Sequence, residues 1–139
     1  MKRLAFIILT LTLALGIATV ASATHNTVKI RNDPTLGKYL SDNDGMPLYW
    51  FTKDSPGVSA CGGSCLEKWP IYYRDKIVPP EGVPTEDFTT IVREDGLKQT
   101  SFRGYPLYYF FKDEEAGDLK GQAAREAWYI IDPDNFPLK

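Results

Sequence analysis

Cys61 and Cys65 are the only cysteines among 139 residues, and they bracket Gly62-Gly63-Ser64. Two thiols at that spacing admit three chemistries: an intra-loop disulfide, a thiol-redox pair, or a Cu(I) site, because paired thiolates suit a soft metal. An N-terminal leader, described below, directs them to an oxidising compartment, where a disulfide is the first expectation. Closing so small a ring contributes roughly 2 kcal/mol by the loop-entropy estimate. A tetrahedral zinc site needs two further ligands, and His25 is the one histidine in the chain. His25 falls at the second position of the expected mature N-terminus. Weak Cu(II) binding with the free amine is conceivable there, but a solvated tail residue is the plainer reading. No cofactor is required, and copper is the one metal the cysteines would suit.

A second set of candidates is Tyr49 with Asp54 and Tyr108 with Asp113. In each pair the separation is odd, which places the two side chains on opposite faces of a straight strand. Aspartate is a poor strand former but a good turn acceptor. The expectation is therefore structural: each tyrosine packs inward, and each carboxylate accepts backbone N–H bonds where the strand ends. Met46, beside a turn, is expected to be a gap-filling or exposed side chain.

Catalysis lacks its parts. A serine or cysteine nucleophile needs a base, and the lone histidine sits on the tail. The 18 acidic residues allow many carboxylate pairs, yet nothing singles out two of them. Gly62-Gly63 has neither the strand-to-helix context nor the lysine of a phosphate loop. No enzyme is expected.

The elements that position these residues follow from an internal repeat. Gly45 to Asp54 reads GMPLYWFTKD and Gly104 to Asp113 reads GYPLYYFFKD, seven identities in ten at an offset of 59. The same offset pairs Gly37 with Gly96, Gly62 with Gly121, Trp69 with Trp128 and Ile71 with Ile130. Two units result, about 27–80 and 86–139, joined by a stiff, proline-rich linker over about 78–86. Units of this size are marginal alone, so the two are expected to pack as one domain over 24–139. Within each, Pro47 to Lys53 or Pro106 to Lys112 reads as a central strand, preceded by a turn around Gly45 or Gly104. In the first, Leu48, Trp50 and Thr52 face one way while Tyr49, Phe51 and Lys53 face the other. Trp69 to Tyr73 and Trp128 to Asp132 read as further strands, with Trp69 and Trp128 as core anchors. Ala123 to Ala127 is the best place for a short helical turn.

Composition agrees. Met1-Lys2-Arg3, an apolar run from Leu4 to Val20 and Ala21-Ser22-Ala23 form a signal peptide over 1–23. Lys2 and Arg3 leave with it, taking the net charge from −2 to −4. Seventeen of the 18 aromatic residues remain, alongside all ten prolines. Aromatics and turn formers at short intervals favour many short strands and little helix. No basic cluster suggests a nucleic acid, and no second apolar span follows the leader.

On these residues the chain resembles the "secreted repeat of unknown function" family, also described as lipoproteins with a Tyr-x-(Phe/Trp/Tyr)-x-x-Asp motif. Tyr49-x-Phe51-x-x-Asp54 and Tyr108-x-Phe110-x-x-Asp113 are similar to that motif. Ser59 to Cys65 with Trp69-Pro70, Arg93 to Gln99, and Gly117 to Gly121 are similar to its other elements. Ile71 stands where a second proline often occurs, and no cysteine stands near the cleavage site to take a lipid. The expectation is a single all-β domain of two pseudo-equivalent meanders, periplasmic or secreted. It would act as a non-enzymatic envelope binding or structural module of unknown partner. The alternative is a thiol-redox or copper-handling accessory protein using Cys61 and Cys65.

Overall fold

The computed structural model describes residues 27–137, so the expected signal peptide and His25 lie outside the described residues. Strands β1 (Val28–Asp33) and β2 (Gly37–Asp42) form a hairpin, and β4 (Phe88–Val92), β5 (Lys98–Phe102) and β6 (Tyr105–Pro106) form its counterpart in the second half. β3 (Tyr49–Phe51) and β7 (Trp128–Ile130) pair antiparallel. The one α-helix among the described residues, α1, is the single turn Cys65–Lys68. The all-β, two-repeat reading therefore holds.

The same turn serves both repeats. Gly45 and Gly104 each adopt φ of 89°, a left-handed conformation that side chains resist. Behind each turn the chain returns as a bridge, Ser41 to Pro47 in one half and Ser101 to Pro106 in the other. Proline enters at the start of the returning segment, where its missing donor is tolerated.

The returning segments do not stay with their own halves. Tyr49 N–H donates to Tyr108 C=O at 2.9 Å, and Tyr108 N–H to Tyr49 C=O at 3.0 Å. On its other edge Tyr49 pairs with Ile130 of the second repeat, while Tyr108 bridges Ile71 of the first. Thr52 N–H reaches Ala127 C=O at 2.8 Å, and Phe111 N–H reaches Lys68 C=O at 2.9 Å. Each half thus supplies the edge partner of the other half's central segment. A separated half would lose two ladders at once and leave buried amides unpaired.

The expected alternation is observed. Leu48 and Trp50 join the cluster built on Val28, Leu40, Phe88, Phe102 and Ile131, whereas Tyr49 and Phe51 join that of Trp69, Tyr108 and Trp128. The central segment is covered on both faces.

Three expectations about elements need correction. The strands expected over Pro47 to Lys53 and Pro106 to Lys112 are much shorter: β3 stops at Phe51, and the second copy contributes β6 and a bridge at Tyr108. The cause is a turn. Asp54 N–H folds back onto Phe51 C=O at 3.0 Å, and Asp113 N–H onto Phe110 C=O at 3.1 Å. Trp69 to Tyr73 is no strand, although Tyr109 N–H bonds Pro70 C=O at 2.7 Å, because Pro70 has no N–H to return. The equivalent of Pro70 is Tyr129, whose N–H permits β7 and its pairing with Trp50. Ala123 to Ala127 is not helical: Ala123, Arg125 and Glu126 have φ of 59°, 52° and 53°, and Ala124 bridges Trp128.

Two outcomes follow for folding. Residues 27–80 and 86–139, each made alone, should lack dispersed NMR amide signals that the joined chain shows. Gly121→Ala should cost about 1–3 kcal/mol by overpacking, because its Cβ would sit 2.9 Å from both Trp69 Cη2 and Phe110 Cγ. Gly62→Ala, whose Cβ meets nothing within 4 Å, is the control, and denaturant titration measures both.

Candidate functional site

Both motif tyrosines are fully buried, and both are bonded to the aspartate of the other repeat. Tyr49 O–H donates to Asp113 Oδ2 at 2.7 Å, and Tyr108 O–H donates to Asp54 Oδ2 at 2.8 Å. The turn after Phe51 or Phe110 swings each carboxylate off the strand direction, so the straight-strand argument does not govern where it goes. The second oxygens accept backbone amides as expected: Asp54 Oδ1 from Ala60 at 2.6 Å, Asp113 Oδ1 from Lys120 at 2.9 Å. These amides are six and seven residues downstream, so the second loop has one more residue before its amide and one fewer after it, both loops spanning fifteen residues from Asp to Trp. The hydrogen bonds therefore equate Ala60 with Lys120 and Cys61 with Gly121, not Cys61 with Lys120 as the constant offset implies.

The motif aromatics are exchanged too. Trp69 and Trp128 stack on each other with centroids 3.8 Å apart and planes 2° from parallel. Phe51 stacks on Trp128 at 4.1 Å, and Phe110 lies tilted on Trp69 at 4.4 Å. The result is a four-ring ladder, Phe51–Trp128–Trp69–Phe110, drawn alternately from the two repeats. Tyr49 meets Trp69 edge-on at 5.4 Å, and Tyr108 meets Trp128 edge-on at 5.1 Å. Every candidate motif residue is thus gathered into one cluster, with Cys61 buried and Cys65 packed against it.

Cys61 and Cys65 form a disulfide, and no free cysteine occurs among the described residues. A partly buried polar chain ties this loop to the first carboxylate. Tyr108 O–H donates its hydrogen bond to Asp54, so its oxygen accepts from Ser59 O–H at 2.6 Å. Ser59 Oγ in turn accepts from Arg93 Nη1 at 2.8 Å. The same guanidinium donates to Gln99 Oε1 and to Cys61 C=O, both at 2.6 Å, and is paired with Asp95. On the second side, Gly121 N–H donates to Tyr49 oxygen at 3.2 Å instead. Arg93, Ser59 and Gln99 were visible in the sequence only as motif members; their meeting depends on the Arg93–Ser59 contact, 34 residues apart in the chain.

Burial sets the electrostatics. It is the largest influence on Tyr49 and Tyr108, holding both phenols well above their ordinary range and neutral. Burial also raises Asp54 and Asp113, against the opposing pull of their amide and tyrosine donors. Exposed Asp95 is lowered, chiefly by Arg93, and half-buried Asp118 by the amides of Glu114 and Glu115. Among the described residues no buried side-chain nitrogen or oxygen lacks a partner. Each motif phenol and each motif carboxylate is thus engaged with a partner inside the fold.

Two measurements check this. In a double-mutant cycle, Tyr49→Phe with Asp113→Ala should show about 1–2 kcal/mol of coupling. Tyr49→Phe with Asp54→Ala should couple by less than about 0.5 kcal/mol. Carbon-detected NMR titration should find Asp54 and Asp113 above the ordinary 3.8, and Asp95 and Asp118 below it. The first two hold their protons more tightly when folded. Their contribution to stability is full below 3.8 and fades as pH rises through the raised values. Asp95 and Asp118 act oppositely, contributing above 3.8 and losing that as pH falls through the lowered values.

Comparison with known proteins adds the family. A family model described as "secreted repeat of unknown function" matches twice, over residues 31–72 and 89–132. Neither curated proteins nor solved structures gave a match. Among the described residues no helix is long and apolar enough to cross a membrane. Two matched repeats, covering more than half the chain and coinciding with the exchanged halves, make this exported protein a member of the secreted-repeat family.

Proposed function

We propose that the protein is a non-enzymatic binding or structural module of the cell envelope, working in the periplasm or outside the cell. The observation that carries this reading is the reciprocal Tyr–Asp exchange. The residues with the most chemical potential are engaged with one another inside the fold, and each has a bonding partner. They hold two repeats together, with both tyrosines and both carboxylates buried. The disulfide fits the same role, clamping the loop that delivers Ala60 N–H to Asp54 and Cys61 C=O to Arg93.

One observation favours a second reading. Cys65 lines an open cleft, so a thiol pair released by reduction would be reachable by a Cu(I) ion or a redox partner.

Thiol counting with Cu(I) titration separates the two. The module reading expects no titratable thiol before reduction and no tight Cu(I) binding afterwards. It also expects reduction to lower stability by roughly 2 kcal/mol, as loss of a short loop closure does. Tight Cu(I) binding by the reduced protein, abolished in Cys61→Ser, would replace it with the copper-handling reading.

A further inference from the structure

A cleft of about 530 Å³ opens beside the aromatic ladder and straddles both repeats. Phe51, Trp128 and Trp69 form its floor, and Lys53, Lys68 and Arg125 stand around it. Trp128 is sandwiched between Phe51 and Trp69, and Trp69 between Trp128 and Phe110, so both faces of each indole are covered. The two tryptophans are only 3% and 6% exposed. Phe51, by contrast, ends the ladder half-buried, with one ring face taking no aromatic partner.

Lys53, Lys68 and Arg125 are all exposed, and among the described residues none is in a salt bridge. Glu67 is the single acid of the lining. Three cations against one anion, on a chain of net charge −2, make this a locally positive hollow. A concave wall of low dielectric concentrates such a field. One wall is the disulfide-bonded turn. The other includes Arg125, in a four-residue run where Ala123, Arg125 and Glu126 are left-handed. Such conformations cost of order 1 kcal/mol each for non-glycine residues, and retained strain of this kind collects at binding sites. The equivalent run of the first repeat is α1, which is unstrained helix.

We propose that this cleft binds a small organic anion with a flat apolar body, of the aromatic carboxylate class. The ring would extend the ladder beyond Phe51, which lines the cleft, and the carboxylate would sit among Lys53, Lys68 and Arg125. A bare inorganic anion would leave the aromatic floor uncovered, and a neutral ring would leave the cations without a partner. The volume lies within the roughly 300–1,000 Å³ typical of small-ligand sites. This assignment rests on the binding-module reading and names the chemistry of its ligand.

The test uses the disulfide-intact protein with 2-naphthoate and its uncharged analogue 2-naphthamide, by calorimetry and tryptophan fluorescence. The naphthoate should bind about tenfold or more tightly than the amide, and added salt should weaken it. Lys53→Gln/Lys68→Gln/Arg125→Gln should lose about tenfold in naphthoate affinity while keeping the amide's weak binding. Absence of naphthoate binding, equal affinity for the amide, insensitivity to salt, or full affinity in the triple variant would overturn the assignment. The salt titration needs no variant, so misfolding of the triple variant would not remove the test. Failure here with a Cu(I)-silent protein rejects only the ligand class. Tight Cu(I) binding rejects the module reading whatever naphthoate does.

Discussion

A phenol and a carboxylate that would each resist burial alone are buried together, and each pair spans the two repeats. Tyr49 reaches Asp113 and Tyr108 reaches Asp54 at near-identical distances, 2.7 and 2.8 Å. An unpartnered buried carboxylate would be strongly unfavourable, whereas one accepting a phenol and a backbone amide is tolerated. Because the donor sits in one half and the acceptor in the other, neither half can satisfy its own polar groups. The bond requires the second repeat as a chemical partner as well as a packing surface.

Everything near the pair follows from that reciprocity. Once Tyr49 and Tyr108 lie backbone to backbone, the tryptophans that flank them come to the same place and stack. Phe51 and Phe110 close the ladder at its two ends. A stack this tight leaves no room at Gly121, whose missing side chain lets the second loop pass over Trp69 and Phe110. The arrangement resembles an isologous dimer interface, in which residue i meets j and j meets i, here drawn inside one chain.

The two halves differ where the pairs do not constrain them. The first loop carries the Cys61–Cys65 disulfide, Ser59 and the Arg93 contact; the second, of equal length, carries a left-handed run instead. These loops stand on either side of the cleft. The loops diverge around the cleft, while the residues forming the exchange are the ones the repeats share.

The ten-residue identity at a constant offset and the dyad alternation of Leu48, Tyr49, Trp50 and Phe51 were readable from the chain, because strand periodicity and duplication are local properties of a string. From them came the all-β class, two units and the two-sided burial of the central segment. The odd spacing of Tyr49 and Asp54 already excluded a pair along one straight strand. It did not say which partner each would take, since that depends on a turn at Asp54 and on which repeat supplies the neighbouring ladder. Strand lengths failed for a similar reason: Pro70 and Tyr129 occupy equivalent positions, and one N–H decides between a bridge and β7. Local pattern determined what each segment could be. The exchange between halves was decided only in three dimensions, where buried hydroxyls, carboxylates and amides must all find partners at once.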